Sequence, residues 1–248
     1  MSDFVTISAD GDLAIVAVDR PPANALSPEL LAEGRDAVRE LERLDPAGVV
    51  LHGRPGFFSA GLDLKMTPTL DEAGQRTLVA GINQLFIAWY GFPRPVVCAV
   101  NGHAVAGGFI LALCGDWRVV GRSGKFGLTE LQAGAPYPAA ASAIVRAELP
   151  SDSARRLMLR ADLTDAAGAL AAGAFDEQVD DDAVVPLAIE RARELAALPA
   201  AAYARTKRDL RGAVLAELEA LVSSDADSLA ADWSTGDASD RAGRLLGS

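Results

Sequence analysis

The chain has 248 residues, half of them hydrophobic and 23% charged, the balance of a soluble globular protein. Its net charge of −11 argues against nucleic acid, whose phosphates call for a basic surface. Two cysteines and two histidines, none at metal-ligand spacing, argue against a zinc site.

Residues 5–7 and 13–18 are β-branched or alternating and flank Asp10-Gly11-Asp12, which predicts a hairpin. Ser27 is a natural N-cap and Pro28 suits the first helical position, so a helix is expected from there to about Leu44. Residues 49–51 read as a short buried strand. Residues 71–90 carry Leu78, Ile82, Leu85, Phe86 and Trp89 at helical spacing, although Gly74 and Gly81 interrupt the run. A strand is expected at 95–100, a short apolar helix at 109–114 after the double glycine, and a strand at 117–120. Phe126-Gly127-Leu128 leads into an ordered loop.

From Ala139 onward the strong helix formers dominate. Thr164-Asp165 resembles an N-cap, Gly173 a helix stop, and residues 175–179 add a last strand. From about Ala183 the pattern is helix after helix, punctuated by Pro186, Pro199 and Gly212. This predicts a mixed α/β core at 1–194 and a helical C-terminal region at 195–248. The N-terminus lacks the features of a secretory signal. The longest apolar stretch, 95–114, is too interrupted by Asn101, His103 and glycines to span a membrane. Cys98 and Cys114 lie in apolar stretches and suit a reducing, cytoplasmic setting.

Two glycine-bearing segments carry the chemistry. Phe58-Ser59-Ala60-Gly61-Leu62-Asp63 and Asn101-Gly102-His103-Ala104-Val105-Ala106-Gly107-Gly108 each let a ligand approach the main chain. Each can aim one amide at one carbonyl oxygen, the geometry of an oxyanion hole. Gly121, Gly124 and Gly127 miss the dinucleotide fingerprint, and no P-loop is present. Glu130 sits among apolar neighbours, where desolvation of its charged form would suit a general base near neutral pH. Asp116 reads as a structural partner in a turn, and Lys207 and Arg208 as a solvated helix face.

Several of these segments together resemble the crotonase superfamily, the enoyl-CoA hydratases and isomerases. Arg20-Pro21-Pro22-Ala23-Asn24-Ala25-Leu26, Ser59-Ala60-Gly61-Leu62-Asp63-Leu64 and residues 95–116 are similar to its motifs, in the same order. The resemblance implies a spiral of β-β-α turns and a C-terminal helical region that builds a homotrimer or a dimer of trimers. It implies an acyl-CoA thioester as substrate, with no separate cofactor, since coenzyme A belongs to the substrate.

By position, Leu62 and Gly107 would supply the oxyanion amides. Ala23, Ser59, Ala60, Gly61, Leu62 and Asp63 would flank the coenzyme A portion, and Phe109, Ile110, Leu131 and Tyr137 would line or back the acyl pocket. Arg20, Lys65 and Lys207 are the candidates to meet its phosphates. The family's hydratases use two glutamates. One matches Glu130; the other falls on Ile110, which cannot carry a proton.

What remains is similar to mitochondrial Δ3,Δ2-enoyl-CoA isomerases, which work with a single glutamate. The implied activity is transfer of a double bond from C3 to C2. Hydration, decarboxylation, thioester hydrolysis and a catalytically silent acyl-CoA-binding protein are the alternatives.

Overall fold

The computed structural model describes residues 4–63, 66 and 70–223. β1 (Val5–Asp10) and β2 (Leu13–Val18) form the expected antiparallel hairpin. β2 then pairs in parallel with β3 (Gly48–His52), β3 with β5 (Val96–Val100), β5 with β7 (Trp117–Val120) and β7 with β9 (Glu177–Gln178). The result is a six-stranded sheet ordered β1-β2-β3-β5-β7-β9. β5 is buried along its whole length, which explains its unbroken apolar sequence: a parallel strand covered on both faces has no reason to alternate.

A second, parallel sheet joins β4 (Gly56–Ser59), β6 (Gly102–Val105) and β8 (Phe126–Gly127). The chain therefore places one strand in the large sheet, the next in the small sheet, then turns through a helix. β3-β4 is followed by α2 (Glu72–Gly91), and β5-β6 by α3 (Gly107–Leu113). This is a β-β-α spiral, and the fold is α/β. None of the three short strands of the small sheet was expected from sequence.

α1 (Pro28–Leu44) starts as predicted: Ser27 Oγ accepts from the Leu30 amide at 3.3 Å, and Pro28 occupies the first turn. α2 starts at the Asp71 cap. On one face of the large sheet α1, α2, α3 and α4 (Ala139–Glu148) pack around Leu41, Leu51, Phe86, Trp89 and Phe109. On the other face α7 (Val184–Ala196) lays Val184, Ala188 and Ala192 against Leu13, Val50, Val97 and Val119. α5 (Ser151–Arg160) and α6 (Ala166–Ala171) connect the two; α6 opens on an Asp165 cap and stops before Gly173.

Three expectations need correction. α3 begins at Gly107, so the double glycine forms its first turn rather than preceding it. Pro186 falls in the first turn of α7, where a missing amide costs nothing. Gly212 lies inside α8 (Ala200–Ser223), which runs through it. α8 packs back on α2 and α4 and buries Leu218 there. The 194/195 boundary falls within α7. Among the described residues no helix is long and apolar enough to cross a membrane.

Candidate active site

Asn24 organises the first half of the site. It is fully buried at φ +50°, and its Nδ2 donates to the carbonyls of Val18 (2.8 Å), Phe57 (3.2 Å) and Phe58 (3.1 Å). Its Oδ1 accepts from the Arg20 amide at 2.7 Å. The loop before α1 is thereby stapled to the end of β4. Ser59 Oγ adds a second staple, donating to the Asn24 carbonyl at 2.7 Å and accepting from the Gly61 amide at 3.2 Å.

The two segments then run side by side. The Ala60 amide donates to the Ala23 carbonyl, the Leu26 amide to the Gly61 carbonyl and the Asp63 amide to the Leu26 carbonyl. In this parallel bridge Leu26 is flanked by Gly61 and Asp63, so the Leu62 amide points away from the ladder. It has no acceptor among the described residues.

The second half of the site meets the first at Gly61. A Cβ there would lie 2.7 Å from the Val105 carbonyl oxygen and 3.0 Å from the Gly107 nitrogen, and its φ of +79° suits glycine. Only glycine permits this approach, and it brings Leu62 beside Gly107. Ala106, the residue before α3, is held at φ +50°, ψ −125°, a conformation costly for a residue with a side chain. The Gly127 carbonyl takes its amide at 2.8 Å, and its own carbonyl accepts from Phe109 and Ile110. The Gly107 amide is left without an acceptor among the described residues.

Glu130 lies in the turn after β8, which closes through hydrogen bonds from Gln132 to the Thr129 carbonyl and from Ala135 to the Glu130 carbonyl. The Gln132 side chain donates to the Ala161 carbonyl at 2.8 Å and ties the turn to the end of α5. Glu130 is 8% exposed, and its Oε2 has no hydrogen-bond partner among the described residues. Desolvation raises its pKa to about 7; the amides of Glu130 and Thr129 oppose the shift and are outweighed. A cavity of about 70 Å³ joins Glu130 to Leu62, Gly107 and Ile110. Leu26, Ile82, Phe86 and small residues of the 133–141 segment complete its wall.

A larger groove, about 600 Å³, lies between the hairpin turn and the α7–α8 connection. Size does not make it the reactive site. Its Arg94 and Asp45 are spent on each other at 2.6 Å.

A buried carboxylate with a bare oxygen, beside two unoccupied amides, is an arrangement for removing a proton next to a carbonyl. Over residues 9–241 the chain matches the enoyl-CoA hydratase/isomerase family. It belongs to that family. A probable enoyl-CoA hydratase of Mycobacterium avium is 36% identical over 213 residues, covering 84% of this chain and 83% of that protein. An enoyl-CoA isomerase of Mycobacterium tuberculosis superposes with a TM-score of 0.85 at 31% identity, over 92% of this chain and all of that one. Human mitochondrial Δ3-Δ2-enoyl-CoA isomerase superposes with a TM-score of 0.91 at 28% identity, over 98% of this chain and 97% of that one.

Set within the enoyl-CoA hydratase/isomerase family, most of the predicted residues fall into three groups. Ala60, Leu62, Gly107, Ile110 and Glu130 line the cavity. Ala23, Ser59 and Gly61 build the ladder beneath it. Asp63 is held by Arg20 at 2.9 Å, and Arg20 also donates to the Ala25 carbonyl, so both side chains are engaged with each other.

The remaining residues are elsewhere. Tyr137 stands behind the cavity wall. Its hydroxyl donates to the Met158 carbonyl at 2.9 Å, and burial together with the Glu130 charge pushes its pKa above the usual range. Phe109 is core, edge-on to Phe175, and Leu131 is 42% exposed; neither lines the cavity. Lys207 is not solvated. It is buried and donates to Asp116 at 2.7 Å and to the Arg94 carbonyl at 3.2 Å, so its charge is engaged within the fold. Lys65 lies outside the described residues. Sequence reasoning passed over Ile82 and Phe86 as site residues, because in the helical stripe of α2 a cavity wall and a core position look alike.

Proposed function

We propose that this protein is an enoyl-CoA isomerase that moves a double bond from C3 to C2, with Glu130 as its single proton carrier. One observation carries the reading: among the described residues lining the cavity, Glu130 alone is ionisable, and Ile110, the residue that the family resemblance matches to the second glutamate of the hydratases, lines it as an apolar side chain. Glu130 takes a proton from C2 of a 3-enoyl thioester. The electron pair moves onto the thioester oxygen, which the Leu62 and Gly107 amides hold. The same carboxyl returns the proton at C4, leaving the double bond between C2 and C3. No water takes part, and atoms and charge balance with one carboxyl alone.

A carboxyl poised at about 7 is divided between its acid and base forms at neutral pH, which suits a group that must both accept and donate. Removing one oxyanion donor typically costs about 2.7–4 kcal/mol of barrier, so the two amides matter as much as the base. The apolar wall of Leu26, Ile82, Phe86 and Ile110 keeps water from quenching the enolate. Coenzyme A enters as part of the substrate, and no further cofactor is needed.

Hydration of 2-enoyl-CoA is the second reading, favoured by the name of the Mycobacterium avium relative. Parallel assays with trans-3-enoyl-CoA and trans-2-enoyl-CoA separate the two. Isomerisation faster than hydration supports the proposal, and the reverse order sinks it. Assembly is proposed to be a homotrimer or a dimer of trimers built on the 195–248 region, which light-scattering mass measurement decides. The proposed location is the cytoplasm, consistent with two buried, unbridged thiols.

A further inference from the structure

Arg211 stands on α8, yet its guanidinium is spent on the ends of two other helices. It is 7% exposed. Its Nη1 donates to the Tyr90 carbonyl at 3.1 Å and to the Cys114 carbonyl at 3.0 Å, and its Nη2 to the Gly115 carbonyl at 3.1 Å. Asp116 at 3.1 Å and Glu148 at 3.3 Å balance the charge, and the Tyr90 ring lies 4.1 Å from the guanidinium carbon. Tyr90 is in the last turn of α2; Cys114 caps α3 and Gly115 follows it. These are the terminal carbonyls that a helix cannot satisfy internally.

The two helices so joined are the ones that shape the reactive cavity. α2 contributes Ile82 and Phe86 to its wall, and α3 contributes Ile110 and the Gly107 amide. We propose that Arg211 is a positioning residue for the Gly107 amide: a single guanidinium on the C-terminal helix sets the placement of α3 against α2 from the end remote from the cavity.

Three physical points support this. α3 is only about 10 Å long at 1.5 Å per residue. Its residues Gly108, Phe109, Ile110, Leu111, Ala112 and Leu113 are all buried, so a shift at one end is carried to the other rather than absorbed by bending. At its start, Ala106 provides no side-chain cap and that end is held through the backbone by the Gly127 carbonyl, so Arg211 is the side-chain anchor at the other end. Finally, a planar fork holds its donors in fixed, spread directions that reach three carbonyls at once, whereas the three donors of a lysine rotate about one compact ammonium.

The inference rests on the oxyanion reading above, and the test separates the two. Arg211→Lys in the full-length chain is compared with Leu13→Ala, a substitution on the opposite face of the large sheet that lowers stability without touching α2 or α3. The readouts are kcat and KM for the preferred enoyl-CoA, the melting temperature, and the infrared stretch of an isotope-labelled thioester carbonyl in bound trans-2-hexenoyl-CoA.

In the wild type, the bound carbonyl stretch is expected below its value in water. In Arg211→Lys that displacement shrinks and kcat falls about ten- to a hundredfold, while KM stays within about twofold. Leu13→Ala keeps wild-type kcat and carbonyl stretch at a similarly lowered melting temperature.

An Arg211→Lys enzyme that melts earlier but keeps wild-type kcat and stretch overturns the positioning role alone. An equal kcat loss in Leu13→Ala does the same. A wild type with no carbonyl displacement overturns the oxyanion reading and this inference with it. Should Arg211→Lys fold poorly, Glu148→Gln, which loosens the guanidinium without removing it, is expected to give the same kcat-specific loss in weaker form; unchanged kcat there overturns the role.

Discussion

Burial holds the Glu130 carboxyl at about 7 against an ordinary 4.5, so the folded chain keeps its proton where the unfolded chain has already released it. Between these two values each rise in pH favours unfolding, and the penalty levels off above pH 7. The full span corresponds to about 3 kcal/mol as an upper bound. Glu130→Gln abolishes that penalty. The variant is expected to match the wild type near pH 4.5 and to exceed its stability at pH 8 by up to about 3 kcal/mol in urea melts, while losing turnover. No stability difference between the two pH values would mean that the carboxyl is not desolvated. Undiminished turnover would mean that it is not the base. The same pKa sets the activity profile of the wild type. In the proposed mechanism the proton leaves C2 only when Glu130 is ionised, so kcat/KM is expected to rise tenfold per pH unit below about 7 and flatten above it. A rise centred near 4.5 would contradict the burial argument.

At the scale of elements, the site depends on one loop being fixed to the end of one short strand. Asn24 makes that joint through four hydrogen bonds from a fully buried side chain. Asn24→Ala leaves three carbonyls and an amide wanting partners and is expected to cost roughly 2–4 kcal/mol of stability. Because the Leu26–Leu62 bridge hangs from this joint, turnover should fall further than the loss of folded protein explains. Circular dichroism melts and active-site titration, taken together, measure that difference; proportional losses would reduce Asn24 to a purely structural role.

The same joint shows what a sequence can and cannot reveal. The Ser27 cap, the hairpin turn and the stripe of α2 were readable because each is written within a few neighbouring residues. β4, β6 and β8 were not. They are two to four residues long, carry glycine, and exist as strands only because distant segments pair with each other. The acid and the two glycine segments were visible as motifs, whereas Asn24 stood in a quoted motif without any sign of its three carbonyl partners.

At the scale of the whole molecule, the C-terminal helix closes the fold through a buried ionic cluster. Asp116 lies two residues past the Cys114 cap of α3 and accepts from the Val96 amide at 2.8 Å, which fixes it to the start of β5. Its carboxylate then meets Lys207 at 2.7 Å and Arg211 at 3.1 Å, both from α8. Lys207 reads from spacing as a solvated position, since its partner lies 91 residues earlier in the chain. With Lys207 and Arg211 buried and the Asp116 side chain only 10% exposed, the pairing is not a surface ion pair of little consequence. Removing Asp116 strands Lys207 without a countercharge and leaves Arg211 with Glu148 alone, and breaking a buried pair in this way typically costs about 3–5 kcal/mol.

Asp116→Asn preserves shape but not charge. It is expected to lower stability by about that amount and to loosen α8 first, seen as faster hydrogen exchange of amides in α8 than in β3 and β5. A hydrophobic replacement of the whole trio, Asp116→Leu with Lys207→Met and Arg211→Met, removes the stranded charges and should recover much of the stability lost in Asp116→Asn. It should not recover kcat, because no guanidinium would then hold the α2 and α3 carbonyls. Restored stability together with restored kcat would show that the cluster only fastens the helix.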